Sequence, residues 1–313
     1  MPIYNKVEIG RVAQQHGFVR DTFEKVLRLK EILRYLNEEE YLREHLLLKG
    51  GTAINLTVFN LPRLSVDIDM DYTPNDTKED MLEARDKITT RIKDYMESEG
   101  YQLSKGSRFT HSLDALYYQY QNAGGNRDMI KIELNYSLRA HILEPVHRRI
   151  LPEVFDDGLQ IRMVALMEIF AAKGNALISR AVARDLYDWG NLIAENLFGD
   201  ERDMFRKCFA FYATISAETV NRDFDTSAID SLKFDKIRRD LFPVLSKKNN
   251  FKLDERKQQA KDYIADLMQL TEREQEYMER FIAKEYVPEL LFDDEEIVER
   301  IKEHPMALWK CQQ

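Results

Sequence analysis

Lys49-Gly50-Gly51-Thr52-Ala53-Ile54, followed by Arg63-Leu64-Ser65-Val66-Asp67-Ile68-Asp69-Met70-Asp71, is the stretch that decides the fold of this chain. The Gly-Gly turn predicts the entrance to a short helix, and the Asp-x-Asp alternation in an apolar setting predicts a strand. Because strand side chains alternate, Asp67 and Asp69 point to the same side, about 7 Å apart. Two carboxylates in an apolar run are costly without a positive partner. The pattern therefore favours a divalent metal that holds a nucleoside triphosphate.

Length and composition describe an ordinary globular protein. The chain has 313 residues, of which 44% are hydrophobic and 32% charged, which is enough for a full core and predicts two domains. No apolar run approaches the roughly 18 residues of a membrane span, and the N-terminus lacks the apolar region of a secretory signal. We therefore expect a cytoplasmic protein without a membrane partner. Cys208 and Cys311 lie outside any metal-spacing motif and are predicted to be idle thiols.

Charge is unevenly distributed. The net charge of −9 argues against a general nucleic-acid coat, because binding to phosphates needs local positive charge. From Lys233 to Lys261, however, there are ten basic residues against four acidic ones. This basic segment could contact RNA, or it could be the solvated face of amphipathic helices.

The organisation of the chain predicts three parts. Residues 1–45 show helical periodicity, and residues 46–152 mix short strands and helices into a core. In that core, the segments 115–120 and 129–136 are predicted strands joined by a Gly-Gly hairpin turn. From 153 to 313 the long 3.6-residue periods predict a helical domain, with the boundary near Leu151-Pro152.

Three further groups of residues bear on the chemistry. Backbone amides at Gly50, Gly51 and Thr52 could cradle a phosphate beside the carboxylates, although an isolated Asp-x-Asp can also be an acidic loop after a strand. Glu133, on the predicted strand 129–136, could supply a third metal-binding carboxylate or a general base. The alternative is that Glu133 belongs to the solvated face of an edge strand.

Lys173 lies in an apolar helical segment and needs an anionic partner, for which a nucleotide phosphate would serve. Asp185 and Asp188 can share a helix face, and the alternative to a catalytic role is a structural ion-pair network. Arg63 could contact a phosphate and Ser65 could bind a nucleotide or brace the loop. An ion pair of Arg63 with Asp67 or Asp71 is the competing interpretation.

Taken together, these motifs resemble the AbiEii/AbiGii toxin family of nucleotidyltransferases, a branch of the DNA polymerase β-like superfamily. The resemblance runs from about residue 45 to the C-terminus, and its motifs are Lys49-Gly50-Gly51-Thr52-Ala53, Arg63-x-Ser65-x-Asp67-x-Asp69, Lys131-x-Glu133-x-Asn135-Tyr136, Glu168-x4-Lys173, Arg184-Asp185-Leu186-Tyr187-Asp188, Tyr286-x-Pro288-Glu289 and His304-Pro305-x3-Trp309-Lys310.

The resemblance implies an α+β fold, in which a polymerase β-like nucleotidyltransferase domain with a mixed sheet flanked by helices precedes an α-helical C-terminal domain. It implies the toxin of a type IV toxin–antitoxin or abortive-infection pair, encoded beside a winged-helix antitoxin. Relatives bind NTPs with Mg²⁺, with Mn²⁺ as the alternative ion, and transfer pyrimidine nucleotides to the 3′ end of tRNA.

By motif, Gly51 and Thr52 would contact phosphate, and Asp67 and Asp69 would hold the metal. Lys173 would bind the triphosphate, and either Asp185 or Asp188 would be the late essential aspartate. Glu133 as the third metal ligand follows from the wider superfamily. We therefore expect nucleotidyl transfer from an NTP to tRNA. The alternatives are transfer to a protein or a small molecule, and a non-enzymatic module that binds a nucleotide to regulate a partner.

Overall fold

The computed structural model describes residues 5–155, 158–216 and 220–313, and they pack into two compact units. The first unit consists of Met1–Arg139, Pro145–Val164 and Pro243–Asn249. The second unit consists of Ala140–Glu144, Ala165–Phe242 and Asn250–Gln313. The sequence predicts three parts with boundaries at 45 and 152, and this division stays a prediction. In the packing described here, the N-terminal helices and the sheet that follows them belong to one unit.

Three helices precede the sheet: α1 Lys6–His16, α2 Arg20–Glu38 and α3 Glu40–His45. Asn5 caps α1 by accepting hydrogen bonds from the Val7 and Glu8 amides, and Gly17 ends it with a φ of 78°. One face of α2 is apolar and buried, as the periodicity of the segment predicts.

One mixed sheet organises the first unit. Within the described ranges it has eight strands: β1 Leu46–Lys49, β2 Asp67–Tyr72, β3 Gln102–Leu103, β4 Arg108–Phe109, β5 Leu113–Gln121, β6 Arg127–Asn135, β7 Val146–Arg149 and β8 Gln160–Met163. Their order is β3-β5-β6-β2-β1-β8-β7, and β4 pairs with β5. Strand β2 runs parallel to β6 and antiparallel to β1, so that β2 lies in the middle of the sheet.

Strands β7 and β8 were not predicted from the sequence. They extend the sheet on both sides of Leu151-Pro152, where the pattern predicts the change to a helical domain. Both strands are only four residues long. Three of the four β7 side chains are exposed, so β7 lacks the apolar alternation that identifies a strand, and β8 alternates over only two apolar residues. Strand β8 is held by its parallel pairing with β1, which no local pattern encodes.

Helices cover one face of β5 and β6. That face is the core of the unit and includes Leu116, Tyr118, Ile130 and Ile132, all fully buried. Charged side chains attach the helices at its margin. Helix α2 contributes an ion pair from Lys25 to Asp128, 2.7 Å long, and helix α5, Lys78–Ser98, places Arg85 against Asp114. The short helix α4, Gly50–Thr57, connects β1 to the turn before β2.

The second unit is helical in its described residues. Its elements are α6 Leu166–Arg180, α7 Ala183–Ala194, α8 Arg202–Ile215, α9 Ser227–Asp230, α10 Phe234–Asp240, α11 Leu253–Leu267, α12 Glu272–Ile282, a 3₁₀ turn at Pro288–Leu290, α13 Glu295–Ile301 and α14 Pro305–Gln312. The core is aromatic: Trp189 packs against Phe205 and Phe209. Cys208 is fully buried there, which raises the pKa of its thiol, and both cysteines are free thiols as predicted.

In the part of the chain that the structure describes, none of the helices is both long enough and apolar enough to cross a membrane.

Candidate active site

The central strand β2 presents the two predicted carboxylates on one face. Asp67 and Asp69 are both half-buried and alternate with the buried Ile68 and Met70. The register places Asp69 opposite Glu133 of β6. The third carboxylate that the sequence predicted is therefore on the strand next to Asp69, on the same face.

The surroundings of Asp69 oppose its ionisation. Burial raises the pKa of Asp69 above its usual value, the negative charges of Glu133 and Asp67 raise it further, and Lys49 opposes the shift. A cation among these side chains would relieve the repulsion and favour the ionised form. This is the electrostatic signature of a cation-binding face.

The Gly-Gly turn lies directly against Asp69. Gly50 has a φ of 74°, and a Cβ built on it would lie 2.5 Å from Oδ2 of Asp69. A Cβ on Gly51 would lie 2.8 Å from both Nη2 of Arg63 and Oγ of Ser65. The left-handed backbone and the contact with Asp69 thus require glycine at Gly50, and a side chain at Gly51 would displace Arg63 or Ser65.

No side chain caps the N-terminus of α4. The Thr52 hydroxyl donates to the backbone carbonyl of Asp67, so Thr52 braces β2 with its side chain. Any contact of Thr52 with phosphate would therefore use its backbone N–H. Uncapped amides at a helix start, beside a cation-binding face, form a suitable environment for phosphate oxygens.

Arg63 and Ser65 are buried beside this turn, with Arg63 only 1% exposed. Nη1 of Arg63 donates to the carbonyl of Leu64 at 2.9 Å, and its backbone forms a bridge with Leu245. Arg63 thus supports the Gly-Gly turn from behind. Its proposed contact with phosphate stays a prediction.

Two lysines on the same face were not predicted as site residues. Lys49 forms an ion pair of 2.5 Å with Asp71. Lys131 pairs with Glu133. Burial works against the charge of Lys131, but Glu133, Asp69 and Asp67 outweigh it and raise the pKa of Lys131. The signal in the sequence was the alternation of Lys131 and Glu133, which puts both on one face.

Two carboxylates, those of Asp67 and Asp69, are available on this face as oxygen ligands for Mg²⁺. Within the described ranges, no three His, Cys, Asp or Glu side chains converge closely enough to hold a metal ion, and Glu133 is engaged with Lys131. Mg²⁺ is commonly bound by one or two carboxylates together with water and substrate phosphates. Asp67 and Asp69 meet that requirement, and Glu133 would join them only after leaving Lys131.

The remaining predicted residues come together in the second unit. Nζ of Lys173 on α6 lies 2.7 Å from Oδ1 of Asp185 and 2.9 Å from Oδ2 of Asp188, both on α7. Asp188 is fully buried, and Lys173 and Asp185 are nearly so. The anionic partners that Lys173 needs are thus two aspartates of its own unit, as in the structural interpretation.

Another buried carboxylate, Glu168, has a structural task. It accepts hydrogen bonds from the amides of Ile142 and Leu143 and from the hydroxyl of Tyr212. These contacts satisfy a carboxylate that is 1% exposed and attach residues 140–144 to α6.

Much of the positive charge in the basic segment is used within the protein. Lys248 donates to the carbonyl of Gln15, and Lys252 pairs with Glu255. Lys261 pairs with Asp230. Lys247 is exposed, and no ion pair holds it among the residues that the structure describes. This pattern favours the structural interpretation of the segment.

Comparison with known proteins agrees with this architecture. The profile of a family described as the nucleotidyl transferase AbiEii toxin of type IV toxin–antitoxin systems matches residues 31–284. The solved structure of MenT4, a nucleotidyltransferase toxin from Mycobacterium tuberculosis H37Rv, is similar with a TM-score of 0.62 and 16% sequence identity. The similarity covers 98% of this chain and 99% of MenT4. No curated protein matches the sequence.

The predicted α+β fold is confirmed, since a mixed sheet with flanking helices precedes a helical part and the whole resembles a nucleotidyltransferase toxin. The family profile spans most of the chain, including both carboxylates of β2 and the lysine of α6. The chain therefore belongs to the AbiEii family of nucleotidyltransferase toxins of type IV toxin–antitoxin systems.

Proposed function

We propose that this toxin transfers a nucleoside monophosphate from an NTP to the 3′ hydroxyl of tRNA and releases pyrophosphate. One observation carries the proposal: Asp67 and Asp69 lie on one face of β2, and the start of α4 approaches Asp69 so closely that only glycine fits at Gly50. This arrangement puts two carboxylates, which can bind a metal, beside uncapped helix amides, which can bind phosphate. Membership of the nucleotidyltransferase family supports the same reaction.

In this proposal, backbone amides at the start of α4 and the side chain of Lys173 bind the triphosphate. The amides of Gly50, Gly51 and Thr52 donate to phosphate oxygens at the positive end of the α4 dipole. Lys173 of the second unit supplies a further fixed positive charge for the triphosphate. Its two aspartate partners hold that charge in place until the nucleotide binds.

Asp67 and Asp69 hold Mg²⁺ or Mn²⁺, which when bound neutralises charge on the phosphates. In the transfer, the acceptor oxygen forms a bond to the α-phosphorus and the bond to the β-phosphate oxygen breaks. The acceptor proton goes to a carboxylate: Glu133, or the late aspartate at Asp185 or Asp188. Asp69 acts in its ionised form, which a bound cation would favour against the burial and neighbouring charges that raise its pKa.

The proposal includes a partner and a compartment. A toxin of a type IV system is expected to act on a cytoplasmic target, and a winged-helix antitoxin encoded beside it would counter the toxicity. Co-expression that restores growth tests the antitoxin, and co-purification of the two proteins tests whether they touch.

The direct test supplies each α-labelled NTP with Mg²⁺ to the purified protein, together with total tRNA and a cell lysate. We expect label on tRNA and extended 3′ ends on sequencing. Asp69→Asn should lower the rate by about 10²–10³-fold or more, the loss typical of removing one preorganised electrostatic group.

Asp128→Asn is the matched control, because Asp128 is a β6 carboxylate that pairs with Lys25 on the helix-covered face of the same sheet. It should keep activity. Label on protein or on a small molecule alone would refute the tRNA acceptor. NTP binding without any transfer would instead leave the regulatory module as the function.

A further inference from the structure

The face that carries Asp67 and Asp69 continues across three more strands, β6, β5 and β4. In one row, Asp69 lies opposite Glu133, Glu133 opposite Ala115 of β5, and Ala115 opposite Arg108 of β4. Residues directly opposite one another point to the same side of a sheet. Arg108 is therefore on the face of the carboxylates, three strands away, at about 4.8 Å per strand.

The next rows on this face move away from the carboxylates along β5 and β6. Tyr117 lies opposite Lys131, Gln119 opposite Met129, and Gln121 opposite Arg127. Beyond the first of these rows the side chains are exposed, whereas the other face of the same strands is buried core. The side chains of this row and the next rows that share the face of Asp67 and Asp69 form the open face: Arg108, Ala115, Tyr117, Gln119, Gln121, Arg127, Met129, Lys131 and Glu133.

The open face is positively charged beyond Glu133. Arg108 and Arg127 are exposed, and no ion pair holds either of them within the described residues. The nearby acidic residues Asp114 and Asp128 lie on the other face, where they pair with Arg85 and Lys25. In a chain of net charge −9, these two guanidinium groups give the open face local positive charge beside the carboxylates of β2.

The chemistry of the open face is that of a surface for unpaired nucleic acid. Guanidinium groups bind backbone phosphates, an aromatic ring such as Tyr117 stacks on a base, and glutamine amides bond to base edges or a 2′ hydroxyl. At the far end, a cleft of about 440 Å³ is lined by polar groups including Gln102, Gln119 and Arg127. Stacking on Tyr117 requires a base that is free of a partner strand, so the surface favours a single strand over a duplex.

We propose that the open face binds the unpaired 3′ strand of the acceptor RNA and directs its terminal hydroxyl to Asp67 and Asp69. The proposal rests on the proposed function and deepens it by locating the acceptor. Tyr117 of β5 lies opposite Lys131 of β6, which lies opposite Asp67 of β2. Tyr117 is therefore two strands, or about 10 Å, from Asp67. A nucleotide stacked on Tyr117 therefore lies within reach of the carboxylates.

The test measures RNA binding apart from transfer. Fluorescence anisotropy with a labelled single-stranded RNA oligonucleotide is recorded in the Asp69→Asn background over a range of salt. Arg108→Ala/Arg127→Ala should weaken binding and reduce the slope of log K against log salt by about 1.4, the loss of two single-strand phosphate contacts. Tyr117→Leu should weaken binding about tenfold, as expected for loss of one stacked base. The Kd for NTP should stay unchanged.

The matched control is Lys78→Ala/Lys247→Ala, which removes two exposed positive charges of the same unit elsewhere. It should bind RNA like the parent protein, and it also tests the basic segment through Lys247. Equal losses in the two double variants, or no loss in the open-face variant at an unchanged Tm, would overturn the proposal.

The two proposals can fail separately. A wild-type protein that binds RNA through Arg108 and Arg127 but labels no RNA would refute the transfer to tRNA and support the open face. If the wild-type protein labels tRNA and both double variants do so with the wild-type KM, the open face is refuted and the transfer stands.

Discussion

Gly50 and Asp69 constrain each other at the scale of single residues. Gly50 adopts a left-handed backbone, and the carboxylate of Asp69 occupies the place of a side chain. The glycine therefore serves two purposes, to turn the chain into α4 and to admit the carboxylate to the helix start.

Gly50→Ala should reduce transfer by about 10²-fold, because the added Cβ displaces a carboxylate that must be placed to within about 1 Å. Gly125→Ala is the control, since Gly125 has a φ of 86° but its Cβ would meet nothing within 4 Å. Both variants carry the same kind of backbone strain, so kcat/KM and Tm separate the two effects. Equal activity of the two variants would contradict the role of Gly50.

Asp71 predicts a pH dependence of stability. Burial raises the pKa of Asp71 to about 6, against the opposing effect of Lys49. A raised pKa in the folded state stabilises the protein below the unfolded pKa of about 3.9, and this contribution is lost as the pH rises through about 6. Two pKa units correspond to about 3 kcal/mol.

Asp71→Asn should therefore flatten the change in the free energy of unfolding between pH 4 and pH 7 by up to about 3 kcal/mol. Urea unfolding in EDTA measures it, and the comparison uses the pH slope because Lys49 loses its partner in the variant. An unchanged slope would show that Asp71 ionises normally.

Variants of Lys173 can separate its contribution to stability from its proposed contribution to activity. Removing one partner of a buried ion pair costs about 3–5 kcal/mol, whereas removing opposite charges together is often close to neutral. Lys173→Met should thus destabilise the protein, and Lys173→Met/Asp188→Asn should recover much of the loss. If Lys173 binds the triphosphate, transfer stays absent in both variants. Recovered activity in the double variant would leave Lys173 a structural role only.

At the scale of elements, a close approach of three helices defines the second unit. A Cβ on Gly174 of α6 would collide with the rings of Trp189 on α7 and Phe209 on α8. These rings are fully buried, so they have no room to move. The small residue sets how closely α6 packs against both neighbours.

Gly174→Ala should destabilise the second unit by about 1–3 kcal/mol or more, the usual cost of overpacking. The matched control is Gly10→Ala in α1, whose Cβ would meet only Arg20 at an ordinary distance of 3.8 Å. There the better helix propensity of alanine should stabilise by about 0.5–1 kcal/mol. Chemical denaturation of both variants checks the opposite signs, and a stable Gly174→Ala would contradict the packing.

At the scale of the whole molecule, two units with separate cores predict two unfolding transitions. A sheet covered by helices forms one core and an aromatic helical cluster forms the other. Units of this kind commonly unfold in separate steps. In differential scanning calorimetry, Gly174→Ala should lower one transition and leave the other in place. A single transition that shifts as a whole would show that the units unfold together.

How much of this protein was predictable follows from the range of each interaction. The Gly-Gly turn, the Asp67/Asp69 pair and the strand around Glu133 are encoded by neighbours a few residues apart, because backbone period alone assigns their faces. The edge strand β7 could not be predicted in the same way, since its residues show no alternation.

The sequence by itself determined the class of fold, the glycine turn and the two carboxylates of β2, since turn chemistry and alternation are local properties. Only the tertiary structure decided that Asp69 lies opposite Glu133, that Lys131 neutralises Glu133, and that the aspartates of α7 hold Lys173. These contacts depend on strand register and helix packing. A shift of one residue in register would turn Glu133 to the other face of the sheet without any change in the sequence pattern.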